Sequence, residues 1–127
     1  MDEIKENYGL ELILDLHECN VDTFTRACIQ DYCEELCRII DMEACEFHFW
    51  DDEGVPEEEC QTDPKTYGVS AVQFILTSSI VIHTLPKMGA AYINIFSCKD
   101  FDNDIAKVFT EQWFGSKKSN STSVVRE

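Results

Sequence analysis

Residues 68–98 read GVSAVQFILTSSIVIHTLPKMGAAYINIFSC. Three apolar runs lie within this stretch: 69–76 (VSAVQFIL), 80–83 (IVIH) and 90–97 (AAYINIFS). Runs rich in β-branched and aromatic residues, bounded by turn residues, predict strands. The first two are broken at Thr77-Ser78-Ser79, the second and third at Leu85-Pro86-Lys87-Met88-Gly89. The same stretch holds hydroxyls at Ser70 and Ser78, an imidazole at His83 and a thiol at Cys98. Singly, each has a plain structural reading: a turn hydroxyl, a strand-edge histidine, a small buried thiol.

Outward from these strands the periodicity changes. Residues 10–16 (LELILDL) read as a strand. Phe24, Cys28, Tyr32, Leu36 and Ile40 recur every four residues, with Ile29, Cys33 and Ile39 broadening the stripe. That spacing predicts a helix over 21–40 with Asp22 as its N-cap. Residues 44–50 (ACEFHFW) alternate, predicting a strand with Cys45, Phe47 and Phe49 on one face and His48 on the other. Residues 51–66 (DDEGVPEEECQTDPKT) are acidic and contain Pro56 and Pro64, which predicts a solvated loop. Asp102 is a second candidate N-cap, for a helix with an apolar stripe of Ile105, Val108, Phe109 and Trp113. In the polar tail from Ser116, Ser123-Val124-Val125 predicts a short last strand. A chain of 127 residues fits one domain, 1–127. The order predicts an α+β fold, a two-layer sandwich of a mostly antiparallel sheet with two helices on one face. The other face is left for dimerisation.

The charge is lopsided, with 25 acidic against 10 basic residues and a formal net of -15. A phosphate-binding surface needs clustered Lys and Arg, so nucleic acid is not an expected partner. An acidic surface attracts cations instead, amines and sulfonium compounds among them. The seven cysteines (Cys19, Cys28, Cys33, Cys37, Cys45, Cys60 and Cys98) are odd in number. The opening MDEIKENYG is charged and has no apolar signal core. Together these predict free thiols in a reducing, cytoplasmic compartment. No run of about 18 apolar residues predicts a membrane span. Cys28, Cys33 and Cys37 are spaced C-x4-C-x3-C, unlike paired zinc ligands, so core packing is expected there and no metal site.

Joint spacing says more than the single residues. The set Gly68-Val69-Ser70, Ser78, Ile80, Ile82-His83-Thr84, Pro86 and Ile95-Phe96-Ser97-Cys98 resembles the core of the small prokaryotic S-adenosylmethionine decarboxylases. Residues 9–20 (GLELILDLHECN) are similar to that family's opening strand, and the resemblance covers about residues 8–113. It implies a chain that cuts itself between Thr77 and Ser78 and converts Ser78 into a pyruvoyl cofactor. In this reading Ser70 and His83 assist the cleavage. The pyruvoyl ketone then forms a Schiff base with the substrate amine, and Cys98 returns a proton after CO₂ departs. The implied substrate is small and cationic, S-adenosylmethionine on the way to polyamines. The implied assembly is a homodimer or higher, with sites between protomers.

Four positions depart from the family pattern. Thr77 stands where Glu is common, Ser79 where His is, Leu85 where Trp is and Lys87 where Glu is. The processing residues are therefore complete, while the substrate-pocket residues are changed. Two alternatives follow: a decarboxylase of another amino acid such as ornithine or arginine, or a non-catalytic regulatory homologue.

Overall fold

A computed structural model describes residues 7–127; the charged residues 1–6 of the N-terminal segment lie outside it. Six strands are present: β1 (Gly9–His17), β2 (Ala44–Trp50), β3 (Val69–Ile75), β4 (Ser78–Leu85), β5 (Ala90–Ser97) and β6 (Lys118–Arg126). Two helices accompany them, α1 (Arg26–Ile39) and α2 (Asn103–Trp113). The strands form one sheet in the order β2-β3-β4-β5-β1-β6, and every pairing is antiparallel. The predicted α+β sandwich is the one observed.

Alternation sets the two faces of the sheet. Leu12, Leu14, Leu16, Ile80, Ile82, Ile93 and Ile95 point to the helices and are almost fully buried. They form one core with Ile29, Tyr32, Cys33, Leu36 and Cys37 of α1. Opposite them, Ile13, Val72, Val81, Tyr92 and Phe96 lie half-buried on a face without helices. All seven cysteines are free thiols, with Cys33 and Cys37 packed in the core as their helical spacing predicted. Among the described residues no helix is long and apolar enough to cross a membrane.

Local details differ from the sequence expectations for identifiable reasons. Helix α1 starts later than 21, and its cap is Thr25, which accepts from Cys28 N, rather than Asp22. Asn20 has closed a 3₁₀ turn over Val21–Thr23 by accepting from Asp22 N, so the helix begins one turn on. Asp102 does cap α2, accepting from Ile105 N at 3.0 Å. Of the expected α2 stripe, Phe109 and Trp113 pack against the core, but Ile105 and Val108 are about half exposed, and Ala106 and Thr110 are buried instead. Helix α2 meets α1 around Tyr32, against which Phe109 and Trp113 pack. There the Tyr32 hydroxyl lies 2.7 Å from Thr110 Oγ1, which donates to Ala106 O. In β2 a bulge between Ala44 and Phe47 separates Cys45 from the phenylalanines and leaves it exposed. Buried Gln73 donates its side-chain amide to Cys45 O and Glu46 O, carbonyls of that bulge. The last strand is longer than predicted because it pairs along all of β1.

The α1–α2 contact makes an asymmetric prediction. Tyr32→Phe leaves the Thr110 hydroxyl still donating to Ala106 O, whereas Thr110→Val strands a buried phenol. Thr110→Val should lose about 2 kcal/mol of unfolding free energy in urea titration, and Tyr32→Phe clearly less. Equal losses would contradict this assignment of the two hydroxyls.

Candidate active site

Strands β3 and β4 form a hairpin in which Ile75 faces Ser78, so the turn is only Leu76-Thr77. The predicted break at 77–79 is therefore too wide: Ser78 and Ser79 already belong to β4. Ser78 is buried at this end because its hydroxyl replaces a missing ladder partner. Cys98 N, just past the end of β5, donates to Ser78 Oγ at 3.0 Å. The Cys98 thiol in turn donates to Leu76 O at 3.8 Å. Hydrogen bonding by the Thr77 hydroxyl, and next by that of Ser78, holds the Cys98 pKa below the ordinary thiol value. Thr77 itself has a positive φ of 51°. A cleft of about 750 Å³ opens here, lined by Cys37, Met42, Leu76, Ser78 and Cys98 among others.

Ser70 and His83 meet elsewhere. They are directly opposite in the β3–β4 ladder, and Ser70 Oγ lies 2.7 Å from His83 Nδ1. With Nδ1 unprotonated, the Ser70 hydroxyl donates to it, which is the arrangement for passing a proton. Buried Thr84 fixes this end of the ladder by donating to Val69 O at 2.8 Å. Gly68 is required just before, since a Cβ there would stand 1.7 Å from Thr84 O. The pair opens onto the helix-free face, into a cleft of about 800 Å³.

The four predicted residues thus fall into two pairs. Ser78 and His83 are five residues apart on one strand, so they point to opposite faces and stand roughly 16 Å apart along it. Within one chain, Ser78 meets Cys98 and Ser70 meets His83, but the pairs do not meet.

The second cleft also has walls that the loop reading of 51–66 overlooked. Trp50, Asp51 and Asp52 line it together with Leu85, Met88 and Tyr92. Asp51 is held by Arg26 through two bonds of 2.7 Å, and hydrogen bonding to that guanidinium keeps its carboxyl below the usual range. Asp52 accepts from Gln61 N at 2.7 Å, folding the loop back on itself. The signal was present in β2, whose alternation runs to Trp50 and brings the start of the loop opposite Ser70. Lys87 does not line the cleft. Its ammonium donates to Thr62 O at 2.6 Å and lies 4.7 Å from the centre of the Tyr67 ring.

This architecture has counterparts among known proteins. A crystal structure of the adenosylmethionine decarboxylase from Aquifex aeolicus matches the fold with a TM-score of 0.74 at 19% identity. That match covers 96% of this chain and 92% of the other. In sequence, S-adenosylmethionine decarboxylase proenzymes from two Clostridium kluyveri strains are each 36% identical over 61 residues. The matched stretch is 46% of this chain and about half, 48%, of the length of those relatives. The family model described as S-adenosylmethionine decarboxylase matches residues 10–127, nearly the whole chain. The chain therefore belongs to the S-adenosylmethionine decarboxylase family.

Proposed function

We propose that the chain is a self-cleaving, pyruvoyl-dependent decarboxylase acting on S-adenosylmethionine, assembled as a homodimer or higher. The observation that carries this reading is the pairing of Ser78 with Cys98 at the hairpin exit, where Cys98 N–H fixes the Ser78 hydroxyl at 3.0 Å. Cleavage uses the chain alone. Ser78 Oγ bonds to the Thr77 carbonyl carbon, the Thr77–Ser78 C–N bond breaks, and the hydroxyl proton ends on the freed amine. Loss of the Ser78 α-proton then breaks Cβ–Oγ and releases Thr77 as a carboxylate. Water replaces the nitrogen of the remaining enamine, ammonia leaves, and a ketone stands at position 78. The first step needs a proton acceptor and donors to the developing oxyanion.

Ser70 and His83 fit that need chemically, but a chain cannot bring its own pair to its own Ser78. A second copy can. Two sheets meeting through their helix-free faces would cover Val72, Val81 and Tyr92 and carry each Ser70–His83 pair towards the other copy's hairpin tip. The pyruvoyl group supplies an electron sink when CO₂ leaves. Position 78 suits it, being buried and beside an N–H donor. Cys98 holds a proton for the substrate carbon. Its thiol is acidified in the uncleaved chain by the hydroxyls of Thr77 and Ser78. Cleavage consumes the Ser78 hydroxyl and makes Thr77 a chain-end carboxylate, and both changes favour the protonated thiol.

A second substrate reading rests on Leu85 and Lys87. With Lys87 tied to Thr62 and Tyr67, the cleft beside His83 keeps Asp52 as a carboxylate, Asp51 being held by Arg26, and carries Lys65 on the same wall. The cation of ornithine or arginine would turn to Asp52 there.

Intact mass of purified protein tests the parent reading. Two fragments divided at Thr77-Ser78 are expected, and Ser78→Ala should give one chain. A persistently uncleaved wild-type chain would turn the reading to a non-catalytic homologue. The shared site has its own test. Co-expressing Ser78→Ala with His83→Ala should restore cleavage of the His83→Ala chain, and no restoration would exclude sharing. CO₂ release from S-adenosylmethionine, ornithine and arginine decides the substrate. Cys98→Ala should lower turnover far more than cleavage.

The thiol makes a pH prediction. In an uncleaved His83→Ala chain, alkylation of Cys98 by iodoacetamide should reach half its maximal rate at a lower pH than in His83→Ala/Thr77→Val. The sign follows from loss of the first of the two hydroxyls that stabilise the thiolate. Superimposable pH profiles would remove Thr77 from this role.

A further inference from the structure

We infer that Thr77 is a positioning residue for the self-cleavage, loading the Thr77–Ser78 link with backbone strain that the acyl shift releases. This rests on the self-cleaving reading above. A two-residue loop between antiparallel strands favours positive φ at its first or at both central residues, supplied by Gly, Asn or Asp. Here the loop is Leu76-Thr77. Leu76 is not among the positive-φ residues and is 77% exposed, while Thr77 takes φ 51°. Among the described residues only Glu18 and Asp41 join it as non-glycines with positive φ, and neither is β-branched. For a β-branched side chain that region is a genuine outlier, because Cβ crowds the carbonyl.

The surroundings hold the outlier in place from both sides. Ile75 pairs with Ser78 across the turn. Cys98 N–H holds the Ser78 hydroxyl at 3.0 Å, and the Cys98 thiol holds Leu76 O at 3.8 Å. Strain that is over-determined by its neighbours at a reacting bond is available to the reaction.

The chemistry relieves it by geometry. In the amide, one atom, the Ser78 nitrogen, joins the Thr77 carbonyl carbon to Ser78 Cα. After Oγ–C forms and C–N breaks, with the proton passing to nitrogen, two atoms, Oγ and Cβ, make the same link. The turn becomes one atom longer, and Thr77 can leave the left-handed region.

Cleavage rates of Thr77 variants, followed by intact mass on freshly refolded chains, test this. Thr77→Gly adopts positive φ freely and should cleave about tenfold more slowly, while its Ser78→Ala background unfolds at a higher temperature. Thr77→Asn should fall between. Thr77→Val keeps the β-branch without the hydroxyl and should cleave faster than Thr77→Gly. Wild-type speed in Thr77→Gly would overturn the inference, as would a Thr77→Val rate as slow as that of Thr77→Gly. In both cases the wild type still cleaves, so the parent reading stands. Absence of wild-type cleavage would overturn both.

Discussion

The β3–β4 ladder, closed by Ile75 opposite Ser78, is the constraint on which the rest depends. Its register is set by burial. A slip of one residue would turn Ile80 and Ile82, both fully buried, out to solvent and bring His83 into the core. The same two-residue period forces Ser78 and His83, five apart, onto opposite faces. The hydrophobic pattern that makes the strand therefore also divides the chemistry into two pairs. The shared site proposed above would follow from this strand geometry.

Charge is arranged around this frame. Although the chain carries a formal net charge of -15, the acidic loop is not simply a solvated coil. Arg26 holds Asp51, Gln61 N holds Asp52, and Lys87 reaches back to Thr62 O. Lys87 thus fastens the loop, and Asp52 stays on the cleft wall beside His83 together with Lys65.

Much of this was legible in the chain. Strands β1, β2 and β5 were found within a residue at each end because alternation is a direct image of a half-buried pleat. Cys33 and Cys37 were correctly read as core, since their spacing on a helix leaves them on the packed stripe. The face of α2 was legible in part: Phe109 and Trp113 of the expected stripe pack on the core, against Tyr32. Hydrophobicity also selects Ile105 and Val108, whereas the buried positions are Ala106 and a hydrogen-bonded Thr110. Ser78 and Ser79 read as loop because serine is a common turn residue, and only the Cys98 N–H, a partner 20 residues away, makes Ser78 a good strand residue. The four site residues were nameable through the family resemblance, but their division into two pairs was not, because spacing carries no information about faces until the register is known.

The strand order bears on what scission does to the molecule. Strands β1 to β3 and helix α1 precede the Thr77–Ser78 link, and β4 to β6 with α2 follow it. Yet β1 lies between β5 and β6, laddered to both. A nick at the hairpin tip therefore leaves two interleaved pieces, like a protein reconstituted from complementing halves. Withdrawing the first piece would unzip three ladders, β3–β4, β1–β5 and β1–β6, and expose Leu12, Leu14 and Leu16, each worth roughly 1.5–3 kcal/mol of burial. The fold can lose a covalent bond at its centre and remain a single body.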